Sequence, residues 1–106
     1  MEIVFQKDYL KELFYEGKAK SKKYRFQPEV VKKYIQVINL MESLHCVEDF
    51  YRYKSLNYEY LIGDKEGTES VRVNKQYRIE FQSEAVKGEE VLTICNIFEL
   101  SSNHYK

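Results

Sequence analysis

A chain of 106 residues, 43% of them hydrophobic, can bury one core and has no room for a second domain, so one domain over residues 1–106 is expected. Its 17 basic and 17 acidic side chains cancel, which removes the overall positive charge that would advertise a nucleic-acid partner. No run approaches the roughly 18 apolar residues of a membrane span, and the start MEIVFQKDYL lacks a basic region followed by an apolar one, so a cytoplasmic protein without membrane association is expected.

Ile3, Val4 and Phe5 read as a short apolar strand. A helix follows from Lys7 to Glu16, with Leu10, Leu13 and Phe14 at helical spacing and Gly17 as its stop. Next comes a basic stretch: Lys18, Lys20, Lys22, Lys23 and Arg25 all fall between Gly17 and Arg25. Residues 1–36 hold nine basic side chains against five acidic, so the first third carries net +4 and the rest net −4. Such a patch fits either a phosphate backbone or a solvated loop.

Pro28 suits the first turn of a second helix. Its stripe runs through Val31, Tyr34, Ile35, Ile38, Met41 and Leu44, with His45 at the end as a packed, uncharged imidazole. Cys46 and Cys95, the only cysteines, are expected as buried small hydrophobes, since neither their number nor their spacing with His45 and His104 suits a disulfide scaffold or zinc. Val47 to Tyr53 adds a helical turn.

Beyond residue 56 the period becomes two-fold. Strands are expected at Tyr58–Ile62, Glu69–Val73, Tyr77–Ser83 and Val91–Leu100, with GDKEG and Asn74–Gln76 as turns and AVKGEE as a longer loop. The last strand is apolar on both alternating sets and reads as central, covered on both faces along part of its length. The sum is an α+β domain: two N-terminal helices packed on one face of a twisted, mainly antiparallel sheet, the other face left partly open for function.

Between Ser70 and Phe81, the residues Val71, Val73, Tyr77, Ile79 and Phe81 share one face, and Arg72, Arg78 and Glu80 share the other. A symmetric three-residue link places Arg72 directly across from Arg78. Facing like charges are unfavourable unless an anion joins them, and a phosphate fits two guanidinium forks. An ordinary ion-pair cluster with Glu80 satisfies the same pattern. After the last strand, Asn103, His104 and Tyr105 offer an imidazole for proton transfer and a phenol for stacking. The chain is rich in aromatics, 10 Tyr and 6 Phe, of which Tyr58 and Tyr60 are reserved for base contact.

The block GDKEGTESVRVNKQYRIEF, Gly63 to Phe81, resembles the HigB branch of the RelE/ParE toxin superfamily, whose members read approximately G-D-x-x-G-x-x-S-I-R-V-N-x-x-[YW]-R-I-x-F. The resemblance implies a RelE-like fold and a ribosome-dependent mRNA endonuclease that needs no metal or cofactor. By position, Arg78 and Arg72 match the cations on the phosphate. The family's histidine before the G-D turn falls at Glu59, which then becomes a candidate base, and a family lysine falls at Ile62, for which Lys65 is the candidate replacement. The tail Asn103-His104-Tyr105 resembles the family's Asp-Tyr-His in kind but is permuted. Lys18, Lys20, Lys22, Lys23, Arg25, Lys65 and Asn103 are the expected RNA contacts. The implied partners are the ribosome, mRNA and a helix-turn-helix antitoxin, with operator DNA reached only through the antitoxin complex. Two alternatives stay open: a ParE-like toxin that inhibits gyrase without nuclease chemistry, and an inactive antitoxin-binding module.

Overall fold

The computed structural model describes residues 1–88 and 91–102, with all their side chains except those of Asp64 and Val91. Strand β1 (Glu2–Phe5) leads into helix α1 (Asp8–Glu16), a 3₁₀ turn at Lys22–Tyr24, and helix α2 (Pro28–Ser43). Two 3₁₀ segments (Val47–Arg52 and Lys54–Leu56) precede β2 (Glu59–Tyr60), a 3₁₀ turn (Gly63–Lys65), β3 (Glu69–Arg72), β4 (Tyr77–Lys87) and β5 (Val91–Ser102). The strands form one open sheet in the order β1-β5-β4-β3-β2, parallel between β1 and β5 and antiparallel elsewhere. This is the expected α+β architecture.

The helices cover the sheet face that carries Val71, Val73, Ile79, Phe81, Cys95, Ile97 and Leu100, and the two sets form one buried core. From α1 come Leu10 and Leu13, both fully buried and each worth about 1.5–3 kcal/mol of transfer free energy. Gly17 ends α1 with φ 81°, a left-handed conformation that a side chain would resist, and its N–H closes on the Leu13 carbonyl at 3.2 Å. The Tyr34 hydroxyl donates to the Leu10 carbonyl at 2.8 Å and ties α2 to α1, and burial pushes its pKa well above the usual phenol range. No described helix is long and apolar enough to cross a membrane.

Five sequence expectations are corrected. The segment from Tyr58 to Ile62 is a strand only at Glu59–Tyr60, followed by one further bond from the Leu61 N–H to the Thr68 carbonyl at 2.7 Å. β4 runs on through Ala85, Val86 and Lys87 in register with β5, where a loop was expected; a long hairpin needs only its own cross-strand pairs to continue. β5 lies between β1 and β4 but is covered on one face only, with Leu92 exposed and Ile94, Asn96 and Phe98 half-buried. His45 is exposed and Cys46 half-buried, because α2 stops at Ser43 and the chain turns away before the imidazole can reach the core.

Where β4 outruns β3, the Ser83 N–H donates to the Glu69 carboxylate at 2.6 Å, and that carboxylate also accepts from the Ser83 hydroxyl (2.7 Å) and the Tyr58 hydroxyl (2.6 Å). A buried acid thus closes the first open position of a sheet edge. Burial and the neighbouring Glu69 charge raise the Tyr58 pKa, and its ring stacks on Phe50 at 5.1 Å. Tyr58 is thus half-buried, with its hydroxyl bonded to Glu69 and its ring packed against the core.

Candidate functional site

Two rows of side chains cross the open face of the sheet. In the first, Arg72 on β3 pairs directly with Arg78 on β4, and Arg78 pairs with Ser101 on β5. The second row runs Glu59, Ser70, Glu80, Glu99 from β2 to β5. Directly paired residues share a face, and adjacent strands lie about 4.8 Å apart. The three-residue link fixes this register: the Asn74 side chain accepts from the N–H groups of Gln76 and Tyr77, both at 2.8 Å, and the Val73 N–H donates to the Tyr77 carbonyl at 2.9 Å.

A β-bulge supplies the rest of the second row. Glu80 pairs with Glu99 while Phe81 pairs with Ile97, so Phe98 is the extra residue. The insertion resets the alternation in β5, keeping both Ile97 and Leu100 in the core and bringing Glu99 beside Glu80.

Glu80 is the centre of a charge cluster. Its Oε2 accepts from Arg78 Nε at 3.1 Å and Nη2 at 2.9 Å, and from Lys65 Nζ at 2.8 Å. Arg78 and Glu80 are buried, whereas Arg72 and Lys65 are exposed. The Gly63–Lys65 turn reaches over the second row to make the lysine contact. This is the ion-pair arrangement weighed beside the phosphate reading, and it leaves Arg72 as the exposed cation facing Arg78. Glu59 is exposed at the far end of its row, two strands, or roughly 10 Å, from Glu80.

Glu99 carries the charged face to its other edge. It pairs with Lys7 at 3.2 Å and accepts a hydrogen bond from the Tyr9 hydroxyl, which in turn accepts the Leu100 N–H at 3.1 Å. Burial, with the Glu99 carboxylate beside it, drives the Tyr9 pKa upward. The Tyr9 ring stacks on Tyr24 at 3.8 Å and 3°, and Lys23 Nζ lies 5.4 Å from the Tyr24 ring centre. The expected basic segment is thereby anchored beside the open face, with Lys18, Lys20, Lys22, Lys23 and Arg25 all exposed. Lys7, Tyr9 and Glu99 were not anticipated. The available signal was Glu99 itself, the lone charge in the apolar run VLTICNIFEL.

Asn103, His104 and Tyr105 lie outside the described residues; the last described pairs of β5 are Ser101 with Arg78 and Ser102 with Tyr77. Tyr60 and Ile62 are exposed. Among the described residues no group of three or more His, Cys, Asp or Glu is placed to hold a metal ion.

No curated protein matches this sequence. A solved structure described as a YoeB/ParE toxin from Agrobacterium tumefaciens is similar over 99% of this chain and 100% of its own, with TM-score 0.55 and 18% identity, a likeness of fold. The family model HigB-like toxin, described as the RelE-like toxin of the type II toxin-antitoxin system HigB, matches residues 3–94. With the fold and nearly the whole length in agreement, the chain belongs to the HigB-like family of type II toxin-antitoxin toxins.

Proposed function

We propose that this toxin is a cytoplasmic endoribonuclease that cuts messenger RNA on the ribosome. The observation that carries the reading is the Arg72–Arg78 pair, two arginines in direct cross-strand register on one face of the sheet, Arg72 exposed and Arg78 buried and held in place by Glu80. A base takes the proton of a ribose 2′-hydroxyl. The 2′-oxygen forms a bond to the adjacent phosphorus, the bond to the 5′-oxygen breaks, and that oxygen leaves with a proton. Charge accumulating on the phosphoryl oxygens is met by the exposed Arg72, whose fork suits two oxygens, with the buried Arg78 adding its positive charge from beside it. Because Glu80 already fixes Arg78, little reorganisation is left for the reaction.

Glu59, His104 and Tyr105 are the proton-transfer candidates, with Asn103 beside them for RNA contact. Lys65 and the exposed cations Lys20, Lys22 and Lys23 follow the RNA backbone, with Lys18 and Arg25 at the outer end of the same segment. Local cation density supports the reading where net charge does not.

Induced expression followed by primer extension on cellular mRNA tests it, comparing wild type with Arg72→Ala and Arg78→Lys. Cuts within translated codons in wild type that fall by about 10²-fold or more in Arg72→Ala are expected, the scale of losing one transition-state donor. Growth arrest with intact mRNA would overturn the nuclease reading in favour of gyrase inhibition. No arrest and no cuts would leave an antitoxin-binding module.

A further inference from the structure

A toxin of a type II system has an antitoxin partner, and a groove remote in character from the charged face suits it. The groove has a volume of about 480 Å³ and lies between the end of α1 and the first turns of α2. Phe26, Pro28, Val31 and Ile35 give it an apolar lining. Lys18, Arg25 and Lys32 stand around it, all exposed, and no acidic residue lines it among those described.

The apolar part arises because α2 is wider in its hydrophobic stripe than the sheet requires. Val30, Tyr34, Val37, Ile38 and Met41 fill the core, while Ile35 stays half-buried on the groove side.

We propose that this groove is the antitoxin's docking site and that the docked element is an acidic, amphipathic segment. Its apolar side chains lie on Val31 and Ile35, and its carboxylates meet Lys18, Arg25 and Lys32. Charge complementarity selects this occupant: three cations around an apolar lining with no carboxylate repel a basic segment. RNA suits the groove less well. Its single aromatic, Phe26, is packed edge-to-face on Tyr77 at 5.4 Å and 83°, so a stacking platform for bases is lacking. The neighbouring groove around Tyr9 and Tyr24 contrasts with it, since Asp8 and Glu12 share that lining with Lys7 and Lys20.

The full chain, made by cell-free synthesis, is titrated calorimetrically with its purified cognate antitoxin, as wild type, Lys32→Glu and Ile35→Glu. Reversal of the exposed Lys32 is expected to weaken binding about tenfold without changing the melting temperature, and Ile35→Glu about a hundredfold. Added salt should weaken wild-type binding more than Lys32→Glu binding. Unchanged affinity in Lys32→Glu overturns the proposal even where Ile35→Glu folds poorly. So does a short single-stranded oligoribonucleotide that occupies the apolar lining, seen as shifts of the Val31 and Ile35 methyl resonances equal to those the antitoxin causes. The variants lie at Lys32 and Ile35, which the nuclease reading does not use, and no measurement depends on RNA cleavage, so the docking site and the nuclease reading fail separately.

Discussion

Replacing Glu80 with Ala removes the carboxylate that accepts from two nitrogens of Arg78 and from Lys65. The two contacts share one oxygen yet differ in worth, because the side chain of Arg78 is 10% exposed and that of Lys65 50%. Taking a carboxylate from a buried guanidinium costs about 3–5 kcal/mol. An ion pair with a half-exposed lysine is worth about 0.2–1 kcal/mol. Glu80→Ala should therefore lower the melting temperature by roughly 12 °C or more, taking ~4 °C per kcal/mol for a chain of this size. Lys65→Ala should lower it by only a few degrees, about 4 °C at most. Urea unfolding followed by circular dichroism gives the free energies, and a double-mutant cycle between Lys65 and Glu80 isolates their coupling. A Glu80→Ala cost below about 1 kcal/mol, or a Lys65–Glu80 coupling equal to that of Arg78–Glu80, would refute the account of Glu80 as the buried anchor of Arg78.

The Asp49 carboxylate accepts from the His45 N–H at 3.0 Å, the Cys46 N–H at 3.3 Å and Arg52 at 2.7 Å, and these bonds, the His45 N–H first, hold its pKa below the ordinary 3.8. A depressed folded-state pKa stabilises the fold above the unfolded value and ceases to do so as pH falls through the folded one. Wild type should thus exceed Asp49→Asn in stability by a constant margin above about pH 5 and lose that margin in acid; a margin that grows towards low pH would contradict the assignment. Cys95 is buried, and burial, followed by the Glu69 charge, pushes its thiol pKa up to about 12. A disulfide reagent at neutral pH should therefore label Cys46 in the native protein and Cys95 only on unfolding, as mass spectrometry of the digested protein would show.

Local chemistry made the central hairpin legible. Alternation from Ser70 to Phe81 sorted the core face from the charged face, and the short link through Asn74 set Arg72 against Arg78, because a three-residue turn leaves the register little freedom. The α1 stop at Gly17, the α2 start at Pro28 and the covered helical face were readable for the same reason: each depends on neighbours within one or two turns. The motif from Gly63 to Phe81 carried the family.

Only the tertiary structure decided which charges meet. Lys65 reaches Glu80 across 15 positions, and Lys7 and Tyr9 reach Glu99 across 92 and 90, contacts that no local pattern encodes. The bulge at Phe98, which brings Glu99 beside Glu80, leaves no mark in composition, since one extra apolar residue in an apolar strand looks like any other. Burial also split groups that the sequence treated alike. Tyr58 is consumed by Phe50 and Glu69 while Tyr60 stays exposed, and Cys95 enters the core while Cys46 and His45 do not. A sequence sets what each segment prefers to cover; which partner covers it depends on how distant segments pack, and that packing makes Arg78 a fixed cation and Arg72 an exposed one.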